Sequence, residues 1–118
     1  MDSMKRAMVA AFLKEFKKLA ARDKGIYVVN RQVNMDALAE LEITERDREN
    51  EILELSIEHY CSGPEPDVDQ PGEIWIFGKE INGREVYIKL KIADVGEKKI
   101  AKCISFHRAQ FPQCYPLR

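Results

Sequence analysis

The chain has 118 residues, 45% of them apolar, and a formal net charge of −1. That is enough apolar material for one core, so residues 1–118 are expected to form a single domain. The composition excludes a disordered or collagen-like chain. With Lys5, Arg6, Lys14 and Lys17 interrupting the N-terminal apolar positions, it also excludes a signal peptide and a membrane span, so the expected location is cytoplasmic with no membrane partner.

The near-neutral total hides a segregation. Residues 1–33 sum to +5, residues 34–73 to −11 and residues 74–118 to +5. Basic segments around an acidic one suit a dipolar molecule with a local anion-binding surface; solvated helix faces are the plainer explanation for residues 1–33.

The helical half runs over about residues 1–60. Val9, Phe12, Leu13, Phe16 and Leu19 recur at helical spacing and predict an amphipathic helix over residues 3–22. Ser3 is placed to cap it and Lys24-Gly25 to end it. Residues 26–29 read as a short strand. Asn34 is placed to cap a short helix reaching about Leu41. Thr44 and Asp47 approximate a capping box before another helix, from Glu45 to about Glu58. Residues 61–72, CSGPEPDVDQPG, are too rich in proline and glycine for helix or strand and read as a loop.

Residues 73–108 predict a three-stranded antiparallel meander. Asn82-Gly83 is a strong two-residue hairpin signal, which pairs Ile81 with Arg84, Lys79 with Val86, Phe77 with Ile88 and Trp75 with Leu90. Gly96 marks the second hairpin. A three-residue turn there keeps period two, pairing Val86 with Phe106, Ile88 with Ile104 and Ile92 with Ile100. Residues 109–118 form an extended tail, either anchored through Phe111, Tyr115 or Leu117 or frayed. The expected fold class is α+β, with N-terminal helices packed on one face of a twisted antiparallel sheet.

One strand carries the chemical signal. Val86, Ile88, Leu90 and Ile92 alternate with Tyr87, Lys89 and Lys91. The chosen register gathers Tyr87, Lys89, Cys103, Ser105 and His107 on one polar, basic face. Such a face suits a phosphodiester, though a solvated sheet face would read the same way. Cleaving RNA requires a base for the ribose 2′-OH, an acid for the departing 5′-oxygen, and cations for the phosphorane. His107 is the candidate for proton transfer, since its type titrates near neutrality. Tyr87 is the candidate to orient the 2′-OH, donate to phosphate or stack a base, and Lys89 is the candidate cation. Lys79, Arg84, Lys91 and Arg108 are candidate substrate-binding groups. Cys61, Cys103 and Cys114 lack metal-ligand spacing, so no metal, disulfide framework or cofactor is expected.

The strings LAELEITERDRENEILELSIEHYCSGP, EIWIFGK, REVYIKLKI and KCISFH carry a resemblance. In that order, over about residues 27–107, they resemble the MqsR toxins among the RelE/ParE-like toxins of bacterial type II toxin–antitoxin systems. The resemblance implies a RelE-like fold and a metal-independent mRNA endoribonuclease acting through ribose 2′-OH attack. It also implies an mRNA substrate, a cognate antitoxin, and a homodimer or toxin–antitoxin hetero-oligomer. The tyrosine implicated in cleavage maps to Tyr87. The lysine and glutamine of that pattern fall at Cys61 and Ile76, so Lys79, Lys89 and His107 are the candidate substitutes. The alternatives are a non-catalytic nucleic-acid-binding domain, using the same lysines and Tyr87, and a protein-interaction module docking through the acidic middle.

Overall fold

In a computed structural model describing residues 2–118, the first helix is α1 (Asp2–Arg22). Its buried Val9, Phe12, Leu13, Phe16 and Leu19 form one apolar stripe, as their spacing dictates. Ser3 lies inside this helix and does not cap it. The far end closes as a Schellman motif: Gly25 N donates to Ala20 O (2.8 Å) and Lys24 N to Ala21 O (3.3 Å). Lys24, at φ 59°, takes the left-handed position.

The strand β1 (Tyr27–Val28) is followed by α2 (Gln32–Leu41) and α3 (Glu45–Leu53). Thr44 and Asp47 form the expected capping box at the start of α3. This helix stops at Leu53, short of Glu58. Ser56 turns extended there, and a single 3-10 turn (Ile57–His59) follows, with Ser56 N donating to His59 Nδ1 at 2.9 Å. Asn34 does not cap α2. The helix begins at Gln32 behind Arg31, and Asn34 points inward, fully buried.

Four further strands complete the sheet: β2 (Tyr60–Pro66), β3 (Glu73–Ile81), β4 (Arg84–Val95) and β5 (Lys98–Arg108). The order is β1-β5-β4-β3-β2. The fold class is α+β, but the sheet is mixed: β1 runs parallel to β5, while the other pairs are antiparallel. The segment expected to be a loop supplies β2. Its prolines are tolerated because β2 is an edge strand, which needs only one row of hydrogen bonds. Its pairing with β3 also breaks register twice, between Tyr60 and Glu65.

The β3–β4 hairpin has the expected register, with Asn82 (φ 51°) and Gly83 (φ 80°) forming its turn. The second hairpin differs. Val95 pairs with Lys98 across a two-residue turn, in which only Gly96 is left-handed, and Ile92 pairs with Ala101. A bulge then adds one residue to β5, since Leu90 faces Cys103 while Lys89 faces Ser105. Ile88 therefore pairs with Phe106, and Val86 with Arg108.

All three helices contribute to one core on one side of the sheet. Phe12 stacks on Trp75 (4.7 Å between centroids), above fully buried Phe77, Val86, Ile88, Leu90 and Phe106. Burying a large apolar side chain of this kind contributes about 2–3 kcal/mol. Among the described residues, no helix is long and apolar enough to cross a membrane.

Candidate functional site

The bulge builds the site. In the register next to the turn, Tyr87 would face Phe106 and Lys89 would face Ile104. One extra residue shifts β5 by a step, so Ser105 faces Lys89 and His107 faces Tyr87 on the sheet side away from the core. The backbone around the bulge needs partners, because β1 ends at Val28. The buried Asn34 amide supplies them. Its Nδ2 donates to Val29 O and Ile104 O (3.0 Å each), and Phe106 N donates to its Oδ1 (3.0 Å). One side chain thereby continues the sheet where a strand is missing, and it ties α2 to the bulge. Just ahead of α2, Arg31 reaches the same face and donates from Nη1 to Ser105 Oγ (3.0 Å).

On this face the Tyr87 and His107 rings stack, with centroids 5.4 Å apart and an interplanar angle of 28°. His107 Nδ1 lies 3.0 Å from Arg108 O. A carbonyl only accepts, so Nδ1 carries the hydrogen and Nε2 of the neutral ring is an acceptor. Burial first, then the charge of Glu65, raise the Tyr87 pKa. Its hydroxyl is therefore a proton donor at neutral pH.

Tyr87, His107, Lys89, Ser105 and Arg31 line a cleft of about 410 Å³, whose other wall is residues 109–113 of the tail. Arg31 and Lys89 also line an adjoining cleft of about 560 Å³, walled by the β2–β3 connection and by Lys102. Two guanidinium or ammonium groups thus stand where both clefts meet.

Tyr87, Lys89 and His107 are brought together as the strand alternation indicates. The other candidate binding groups are not. Lys79 points to the helix side and pairs with Glu51 (Nζ to Oε1, 2.7 Å). Arg84 also turns to that side and donates to Glu40 O at the end of α2. Lys91 is on the outer face but buried, with its Nζ 2.7 Å from Asp67 Oδ2. Arg108 faces Val86, on the sheet side opposite Tyr87, and does not line the cleft. Cys103 packs in the core, and burial pushes its thiol up to about 12; burial likewise holds Cys61 at about 11. Neither is a thiolate at neutral pH. Among the described residues, no cluster of histidine, cysteine, aspartate and glutamate could hold a metal ion.

Two contributors escape the sequence argument. Arg31 lies in a short connection without periodicity, and only the fold carries it to Ser105. The tail is anchored through Tyr115 and Leu117 as expected, with Gln113 added, and only its role as a wall of the cleft goes beyond the sequence. Gly78 permits this, since a Cβ there would overlap the Gln113 amide. Phe111, a candidate anchor, is instead exposed at the rim.

The cleft thus offers a nitrogen base, a hydroxyl donor, and two cations on an open surface. Comparison with protein-family models, curated proteins and solved structures returns no match.

Proposed function

We propose that this chain is an endoribonuclease toxin of the RelE-like kind, similar to the MqsR toxins, acting on mRNA and restrained by a cognate antitoxin. The observation that carries this reading is the stacked Tyr87–His107 pair beside Lys89 and Arg31. In the proposed reaction His107 Nε2 takes the proton of the ribose 2′-OH. The 2′-oxygen attacks phosphorus, the bond from phosphorus to the 5′-oxygen breaks, and the Tyr87 hydroxyl protonates the departing oxygen. Lys89 and Arg31 stabilise the charge that builds on the phosphoryl oxygens. The cleft's own side chains supply every proton and every countercharge, so the reaction is proposed to be metal-independent. The products are a 2′,3′-cyclic phosphate and a 5′-hydroxyl.

Purified protein incubated with single-stranded RNA in EDTA is expected to yield those ends. Intact RNA, or 3′-hydroxyl ends, would contradict the reading.

A second reading is a nucleic-acid-binding module without cleavage. It is favoured by the lining of the cleft, where Tyr87, Lys89 and Arg31 could hold a base and a phosphate with no proton transfer. Salt-dependent RNA binding with no cleavage would select it.

A further inference from the structure

The tail segment over residues 109–113 is a short loop closed at both ends on one glutamate. Ala109 N donates to Glu85 O (2.8 Å) at one end. At the other, Gln113 N donates to Glu85 Oε1 (3.1 Å), and Gln113 Nε2 donates to Val86 O (2.9 Å). Tyr115 Oη donates to Glu85 Oε2 (2.8 Å), and Leu117 beyond it is buried in the core. The loop is therefore pinned at both ends, with Phe111 at its middle.

Phe111 is 77% exposed. A single exposed apolar side chain is ordinary on a protein surface. What separates Phe111 from Met4, Val68 or Val95 is position: it lines the same cleft as the Tyr87–His107 stack, on the opposite wall. The cations of that cleft are Lys89 on β4 and Arg31 just ahead of α2, both away from the tail wall, so the phosphate side of a ligand is already assigned there. The tail wall is made by Gln110, Phe111 and Pro112, so an aromatic residue stands among them. A flat aromatic group joined to a phosphate fits that division, and in single-stranded RNA the unstacked bases are free to take such a platform.

We propose that residues 110–112 form a nucleobase subsite, in which the Phe111 ring stacks a base adjoining the phosphate held at Tyr87 and His107. The inference rests on the cleft being the RNA site. It adds a contact to a base where the reaction itself needs only ribose and phosphate. Every base has a π-face and only an unpaired one can be stacked, so the subsite favours single strands over duplexes without selecting one base.

The test is binding of a short single-stranded 2′-O-methyl RNA, which lacks the attacking hydroxyl, followed by anisotropy. Phe111→Ala is expected to weaken binding about 10-fold, within the range of about 5- to 150-fold that base–aromatic stacking supplies. An abasic oligomer of the same length should bind wild type and Phe111→Ala equally. Phe111→Trp should restore binding, with its indole quenched by the base. Unchanged binding in Phe111→Ala, or an equal loss on the abasic oligomer, would overturn the subsite. Cleavage of ordinary RNA by the wild type, read in parallel, separates the two ideas. If cleavage persists while Phe111 is indifferent, only the subsite fails. Phe111-dependent binding without cleavage keeps the subsite and removes the nuclease. If the wild type neither binds nor cleaves RNA, both fail.

Discussion

Lys89 and Lys91 sit two residues apart on one strand and one sheet face, yet they live in different environments. Lys89 opens onto two clefts. Lys91 is 2% exposed and is paired with Asp67, which also accepts from Asp69 N (2.9 Å) and Gln70 N (3.3 Å). The difference lies in what covers each end of the face. At the Lys91 end the β2–β3 connection folds over the sheet, close enough that a Cβ on Gly72 would sit 3.0 Å from the Lys91 stem. At the Lys89 end the tail is fastened aside at Glu85 and leaves an opening. Alternation along a strand says which side chains share a face. Whether that face meets solvent is decided by the segments that cross it.

The largest expected contrast is in catalysis. Lys89→Ala should lower the RNA cleavage rate by about 10²–10³-fold, the effect of losing one charge-stabilising group. Lys91→Met should leave the rate unchanged. If both substitutions act equally, the two ends of the face do not differ as described.

The next effect is on stability. Asp67→Ala strands a buried ammonium and should cost about 3 kcal/mol in denaturant unfolding. Replacing both partners, with Lys91→Met added, should recover most of it, because the buried charge is then gone. Equal losses in the single and double variants would mean that Asp67 acts only as a loop residue.

Acid should act on the same pair. The Lys91 ammonium and the backbone amides hold the Asp67 carboxyl at about 2, below its ordinary 3.8. Its contribution is therefore complete above about pH 4 and lost as pH falls toward 2. Asp67→Asn should flatten the thermal stability profile over that window. His59 acts at milder pH. Burial lowers its pKa below the ordinary 6.5, and its Nδ1 accepts from Ser56 N. Its contribution is complete above about pH 6.5 and declines below, and His59→Gln should remove that slope.

The smallest expected effect is at the open end. Ser105→Ala releases the Arg31 guanidinium and should weaken RNA binding severalfold, the scale of about 1 kcal/mol for one hydrogen bond. The fold should be unaffected as judged by circular dichroism.

Legibility follows from how local each determinant is. The β3–β4 hairpin could be read to the residue because Asn82-Gly83 fixes its turn by itself. The β4–β5 pairing could not, because its bulge is stabilised by Asn34, a side chain some 70 positions away along the chain. A three-residue turn and a two-residue turn followed by a bulge both put Tyr87, Lys89, Ser105 and His107 on one face. The site's sheet residues were thus legible although the register was not. The side taken by Lys79 is legible too, since pairing it with Val86 assigns it to the core side of the sheet. Arg31 and Phe111 carry no periodic signal, and their positions depend on where α2 and the tail are fastened. β2 was hidden by its prolines, which exclude a central strand but not an edge one.

The proposed function turns on His107 as the base that activates the ribose hydroxyl. The most direct measurement is single-turnover cleavage of one RNA by wild type and by His107→Ala, in EDTA, with the product ends identified. The account predicts 2′,3′-cyclic phosphate ends from the wild type and a rate about 10²–10⁴-fold lower in the variant, the usual contribution of a positioned acid or base. An unchanged rate in His107→Ala would contradict it.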